Sequence, residues 1–296
     1  MRCVRVPLSD NRVAEALAAG LPGYRPESVR PLDSGSDHDV YVVDGTLLIR
    51  FGRDGAGSPE PEASLLRRLG GLLTVPVPQP VFSDERTGAL ACRLLPGTPL
   101  LSIARDIRNE WRAGVGAALG TMLADLHQLT TDDLGGCPVD GAPPAESLAD
   151  AIRSFAEIST DVPAGLRGAM ADFLDSRPPP PGPKVFSHND LGIEHVLVEP
   201  ATGSITGIID WSDAAMCDPA RDFGLLLRDL GDDALERAYR SYRRTGGPID
   251  VDQQFRTRCL FHARCALLED WAYGRDTGRS DYIDKSRDAA AALFAP

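Results

Sequence analysis

The chain has 296 residues, 43% hydrophobic and 25% charged, a globular composition with room for two domains that excludes a disordered, collagen-like or coiled-coil chain. Its 43 acidic against 31 basic residues leave a formal charge of -12, which argues against a nucleic-acid partner and suits a cationic ligand wherever acids gather at a site. Six cysteines without CxxC spacing read as reduced thiols; with no apolar run of 18 residues and no signal-peptide core, the expectation is a cytoplasmic protein without a membrane partner, monomeric or weakly dimeric.

In chain order, a strand is expected at about 28 to 32, followed by the turn-prone segment Asp33 to Asp37. Residues 39 to 51 hold two β-rich runs joined at Asp44-Gly45, a hairpin signal. Ser58-Pro59-Glu60 offers a helix start, and Glu62, Leu65, Leu66 and Leu69 follow at helical spacing. Strands around Val81-Phe82 and at 90 to 94 complete an N-terminal part of about five strands and one helix. From Leu100 the period changes: Trp111, Val115, Leu119, Met122 and Leu126 recur every three or four residues, so the middle is helical. Pro178 to Pro183 reads as a stiff connector inside one lobe. Short strands at 196 to 199 and 205 to 209 precede helices at about 220 to 230, 232 to 244, 251 to 274 and 280 to 294.

Chemistry concentrates in Ser187-His188-Asn189-Asp190-Leu191-Gly192-Ile193-Glu194-His195 and, after a short hairpin, Ile209-Asp210-Trp211. A loop acid, a possible metal ligand five residues later and a second acid twenty residues on suit phosphoryl transfer. There one carboxylate accepts the proton of an attacking hydroxyl while another holds Mg²⁺ on nucleotide phosphates. The chain has only two lysines, Lys184 and Lys285, so any phosphate clamp in the N-terminal part must be an arginine. Arg50, on the third expected strand, has the planar fork for that work, and Glu62 on the following helix can hold it, the alternative for both being a surface ion pair.

The run HNDLGIEH, with IIDWSDAAMCDPARDFG after it, resembles the antibiotic kinases of the aminoglycoside phosphotransferase family over about residues 28 to 275. His195 and the His-Asn-Asp loop are most similar to aminoglycoside 2''-phosphotransferases and macrolide 2'-phosphotransferases. The resemblance implies an α+β, two-lobed, protein-kinase-like fold. Its parts are an N-lobe of antiparallel sheet plus one helix (1–92), a hinge (93–98) and a helix-rich C-lobe (99–296). It makes Asp190 the catalytic acid of the loop and Asp210 the principal Mg²⁺ ligand, with His195 the second. Arg50 stands where the family has a phosphate-clamping lysine, with Glu62 as its partner. The turn Ser34-Gly35-Ser36 would cover the β and γ phosphates of ATP or GTP, and the backbone of Cys92 and Leu94 would read the base.

His188, Asp218 and Asp222 are expected to be scaffold. Asp213 could touch a substrate ammonium or simply cap its loop. Glu269 and Asp270 on a late helix could meet a cationic aminosugar, the alternative being a solvated helix face. The implied function is transfer of the γ-phosphate of ATP or GTP to a hydroxyl of an aminoglycoside, conferring resistance. Alternatives are a macrolide 2'-phosphotransferase, a metabolic kinase of a sugar or amino alcohol, and a non-catalytic nucleotide-binding relative. The presence of both Asp190 and Asp210 disfavours the last.

Overall fold

The computed structural model describes residues 11–32, 38–53 and 57–294. Contacts divide the chain into two compact units, Met1–Pro96 with Gly207–Ile209, and Gly97–Thr206 with Asp210–Pro296. No helix among the described residues is long and apolar enough to cross a membrane.

The first unit is a five-stranded sheet with one helix before its first strand and a second between its third and fourth. Its strands are β1 (Val29–Leu32), β2 (His38–Val43), β3 (Leu47–Gly52), β4 (Pro80–Asp84) and β5 (Ala89–Arg93), in the antiparallel order β1-β2-β3-β5-β4. The β2–β3 turn forms at Asp44 and Gly45, with φ of 51° and 65°. Asp44 tolerates this left-handed conformation because its carboxylate is a local anchor, accepting from the amides of Glu27 (2.9 Å) and Ser28 (2.7 Å). Alternation along β3 buries Leu47, Ile49 and Phe51 and leaves Leu48, Arg50 and Gly52 half-buried. The buried set joins Val43, Phe82, Ala89 and Ala91 in one cluster with Val13, Ala16 and Leu17 of α1 (Asn11–Gly20). That helix corrects the expectation of a single N-lobe helix. Its apolar spacing at 13, 16 and 17 covers barely two turns, too short a repeat to stand out. The expected helix is α2 (Glu60–Leu72), which buries Ala63, Leu66 and Leu69.

The second unit is mainly helical. A short strand β6 (Thr98–Pro99) leads into α3 (Arg105–His127), α4 (Thr131–Leu134), α5 (Pro144–Ile158) and α6 (Ala164–Leu174). The strands β7 (Val185–Ser187), β8 (Val196–Val198), β9 (Ile205–Ile208) and β10 (Ala215–Cys217) follow, then α7 (Ala220–Thr245), α8 (Gln253–Thr277) and α9 (Ser280–Phe294). β10 pairs with β7, while β6, β8 and β9 form a three-stranded sheet. The two helices expected at 220 to 230 and 232 to 244 run on as α7, broken at Gly231, where φ is 80° and ψ is -179°. No side chain adopts that conformation at acceptable cost, so the glycine permits the break. Residues Gly207–Ile209, expected to belong wholly to the C-terminal part, group with the first unit; the Ile208 amide donates to the Pro76 carbonyl at 3.0 Å.

The α3–α7 contact depends on two glycines. A Cβ on Gly116 or Gly120 would run into the backbone of Ala234 or Ala238 on α7, whereas one on Gly114 would meet nothing. We expect Gly120→Val to destabilise the protein by about 1–3 kcal/mol or more through overpacking. The exposed Gly114→Ala should stabilise it by about 0.5–1 kcal/mol through helix propensity alone. Urea unfolding of both variants checks the pair, and equal effects would refute the close-contact reading.

Candidate active site

β7 is too short to carry the loop that follows it, so the loop is fixed by side chains. Asn189 and Asp210 both sit at positive φ, 71° and 63°, a conformation that costs a non-glycine residue about 1–3 kcal/mol and is kept where the surroundings impose it. Asn189 Nδ2 donates to the Asp213 carbonyl at 3.1 Å and to Asp140 Oδ2 at 3.3 Å, and Ser212 Oγ donates to Asp210 Oδ1 at 2.9 Å. His188 is fully buried, its ring 4.7 Å from that of the buried Trp211, and its Nδ1 accepts from the Asp190 amide at 3.3 Å. The Asp222 carboxylate accepts from the His188 amide at 2.9 Å. Asp218 accepts from the amides of Gly182 and Ala220, both at 3.0 Å, and from Arg258 Nε at 2.8 Å. These contacts tie the proline-rich connector and α8 to the start of α7.

The structure brings Asp190, His195 and Asp210 together. His195 Nδ1 donates to the Asp190 carbonyl at 2.8 Å and lies 3.5 Å from the Asp190 carboxylate, while its Nε2 lies 3.5 Å from Asp210 Oδ2. Burial alone would lower the imidazole pKa. The carboxylates of Asp190, Glu194 and Asp210 outweigh it, and the result is raised. For Asp190, burial is the largest influence and raises the carboxyl above its ordinary value, against the pull of His195.

Beneath the loop lies a cluster of charges that sequence reasoning did not find. Ile193 donates its amide to Asp229 Oδ2 at 3.1 Å, and Asp229 is gripped by Arg228 through Nε (2.7 Å) and Nη2 (2.9 Å). Arg228 Nη1 is 2.7 Å from Asp270, and Lys285 Nζ is 2.8 Å from both oxygens of Glu194 and from Asp270. Burial would raise the Glu194 carboxyl, but Lys285 and Arg228 beside it hold it down to about 2. The one sequence signal was the rarity of lysine, which marks Lys285 without saying what it meets.

For Asp270 the sequence left open a cationic substrate or a solvated helix face; its carboxylate is instead engaged by Arg228 and Lys285. Glu269 is half-buried, and burial raises its carboxyl. Asp213 is exposed. In the first unit Arg50 and Glu62 form an ion pair, with only 14% and 16% of their side chains exposed. The backbone of Cys92 and Leu94 is less open than expected for reading a base. Cys92 lies in β5 between β3 and β4, and the Leu94 amide already donates to the Thr46 carbonyl at 2.8 Å. Ser34, Gly35 and Ser36 lie outside the described residues.

A profile of the phosphotransferase enzyme family matches residues 28–257. An aminoglycoside 3'-phosphotransferase of Streptomyces fradiae is 30% identical over 165 residues, 53% of this chain and 59% of that protein. The match thus spans little more than half the length of that relative. Among solved structures, the GDP and kanamycin complex of APH(2")-IIia is similar at a TM-score of 0.73 and 20% identity, over 97% of this chain and 99% of that one. Macrolide 2'-phosphotransferase MphH from Brachybacterium faecium, as apoenzyme, is similar at a TM-score of 0.62 and 25% identity, over 97% of this chain and 98% of that one. The 20% match is a likeness of fold alone.

Asp222 supplies a pH test of the scaffold. Burial pushes its carboxyl up to about 7, although the His188 and Asn189 amides favour the anion. Unfolded, it titrates near ~3.9, so between these values the native state holds a proton that the unfolded chain has released, and its contribution to stability falls as pH rises from ~4 to ~7. Asp222→Asn keeps an acceptor for the His188 amide but cannot titrate. We expect the wild type to lose stability relative to Asp222→Asn across that window, read by denaturant unfolding at each pH; parallel curves would refute the assignment.

Proposed function

Because the chain belongs to the phosphotransferase enzyme family, we propose that it transfers the γ-phosphate of ATP or GTP to a hydroxyl of an aminoglycoside and thereby confers resistance. The observation that carries this reading is the pair of half-exposed carboxylates, Asp190 and Asp210, with the His195 ring between them. Asp190 orients the acceptor hydroxyl and takes its proton. Partial burial raises its carboxyl above the ordinary value, and its side chain, 45% exposed, leaves room for a substrate.

The Asp210 carboxylate suits Mg²⁺, which prefers oxygen, and the His195 imidazole is the less natural partner for that ion. Asp210 offers hard carboxylate oxygens, and with His195 Nδ1 tied to the Asp190 carbonyl, Nε2 is the nitrogen left facing Asp210. When bound there, Mg²⁺ supplies charge neutralisation on the transferring phosphates. Ser212 orients the Asp210 carboxylate by its hydrogen bond. Arg50, held by Glu62, presents a fixed guanidinium fork to phosphate oxygens and replaces the lysine that this part of the chain lacks.

For the acceptor, the exposed Asp213 and half-buried Glu269 suit an ammonium-bearing aminoglycoside, as does the charge of -12. A macrolide is the second reading, favoured by the 25% identity to MphH over nearly the whole chain. The deciding measurement is substrate KM against salt over a panel of both antibiotic classes with ATP and with GTP. A multiply charged aminoglycoside should bind more weakly as the Debye length shrinks from ~10 Å at 0.1 M to ~3 Å at 1 M salt. A flat response favours the macrolide, and turnover of neutral sugars alone would make the protein a metabolic kinase.

Asp190→Ala should lower turnover by ~10²- to 10⁴-fold with nucleotide affinity kept. Full activity in that variant would sink the phosphotransfer reading. Arg50→Ala should raise nucleotide KM and lower turnover, Glu62→Ala should do both more mildly, and the double variant should resemble Arg50→Ala, since Glu62 acts through Arg50. Additive losses would show that the two act separately.

A further inference from the structure

A cavity of about 570 Å³ opens in the second unit where α7 breaks at Gly231. Its walls carry Arg105, Arg108 and Arg112 of α3 and Arg256 and Arg264 of α8, and Arg228 and Lys285 also line it. In a chain of net charge -12 so many cations in one hollow do not follow from composition. Most are neutralised locally. Arg112 pairs with Asp233 at 3.4 Å, Arg256 with Asp232 at 2.7 Å and Arg105 with Asp288 at 2.7 Å. Arg228 and Lys285 belong to the cluster with Asp229, Asp270 and Glu194.

Two guanidiniums remain. Arg108 donates to the Leu101 carbonyl at 3.1 Å and Arg264 to the Leu293 carbonyl at 2.8 Å, and neither has a carboxylate within ion-pair distance among the described residues. Both are half-buried, and burial pulls the pKa of each below the ordinary arginine value. Asp229 and Asp288 act on Arg108 from beyond ion-pair distance, and Arg264 lies over the Phe173 and Phe294 rings at 5.4 and 5.2 Å, so burial is only partly offset, and each keeps donors beyond the one spent on a carbonyl.

We propose that this cavity is a binding site for a small phosphorylated molecule, with Arg108 and Arg264 as its phosphate-binding groups. The planar fork of arginine matches phosphate oxygens, and the volume falls within the ~300–1,000 Å³ of small-molecule sites. The occupant is reported to the loop chemically. Arg228 lines the cavity and grips Asp229, which accepts the Ile193 amide, and Lys285 lines it and holds Glu194, next to His195. The site is separate from the Asp190–His195–Asp210 constellation and does not depend on the phosphotransfer reading.

The test uses calorimetry and amide NMR on the whole chain, with inorganic pyrophosphate and fructose 1,6-bisphosphate as probes, and needs no turnover. Saturable binding of one molecule per chain is expected, together with a shift of the Ile193 amide resonance. Binding should weaken by at least about tenfold in Arg108→Gln and in Arg264→Gln, each losing a charge-assisted pair, and stay unchanged in Arg153→Gln, an exposed arginine of α5 outside the cavity. Arg264→Lys keeps the charge without the fork, so it should fold like the wild type and bind with intermediate strength. Tighter binding of the bisphosphate would mean that the organic part is also read, and equal binding that phosphate alone is; either outcome with this variant pattern supports the site. Absence of saturable binding to the wild type overturns the proposal. So does binding lost in Arg50→Gln but kept in the Arg108 and Arg264 variants.

Discussion

The loop from Ser187 to His195 rests on a cluster of five charged side chains: Arg228, Asp229 and Lys285, each with no more than 2% of its side chain exposed, and the slightly more open Glu194 and Asp270. Withdrawing such charges from water costs several kcal/mol each, and only close pairing offsets it. Here every charge has an opposite partner within 3 Å. The cluster therefore works as a geometric specification. Arg228 and Asp229 come from α7, Asp270 from α8, Lys285 from α9 and Glu194 from the loop, so all four segments must meet for the whole set to be satisfied. Breaking one partner of such a set leaves a buried charge exposed to about 3–5 kcal/mol of penalty.

Above this floor the loop is held in a conformation that its own residues would not choose. Asn189 and Asp210 both lie in the left-handed region, and each is secured by a hydrogen bond from an amide or a hydroxyl side chain. Asp222 fixes the His188 amide from below, and Trp211 packs on the His188 ring. Three independent supports thus converge on the few residues between His188 and His195. The strain they absorb is what aims the Asp190 and Asp210 carboxylates at one imidazole.

Glycine plays two opposite parts in the helical unit. Gly116 and Gly120 are there for closeness, letting the backbone of α7 approach α3. Gly231 is there for conformation, ending one helical run and starting the next at the mouth of the basic cavity. In the sheet unit the equivalent device is alternation: β3 turns Ile49 and Phe51 into the apolar cluster with α1, so Arg50 points to the other face and meets Glu62 of α2.

Local signals in the sequence determined most elements and the residues of the candidate site. Asp44-Gly45 announced the hairpin, the apolar repeat from Trp111 to Leu126 announced α3, and HNDLGIEH with IIDW marked the Asp190, His195 and Asp210 set. These are short-range patterns, set by backbone sterics and by the 2.0 and 3.6 residue periods, so they survive without knowledge of the fold. Tertiary structure decided which charges are spent on one another. Asp270 carries the same carboxylate as Asp213, and nothing in its neighbours Glu269 and Trp271 says that Arg228, 42 positions earlier, and Lys285 will occupy it. The amide of Leu94 was likewise taken by Thr46, a contact made across the sheet. Pairing of this kind is set by distance in space, and Coulomb attraction and hydrogen bonding act at a few ångströms regardless of how far apart the partners lie along the chain.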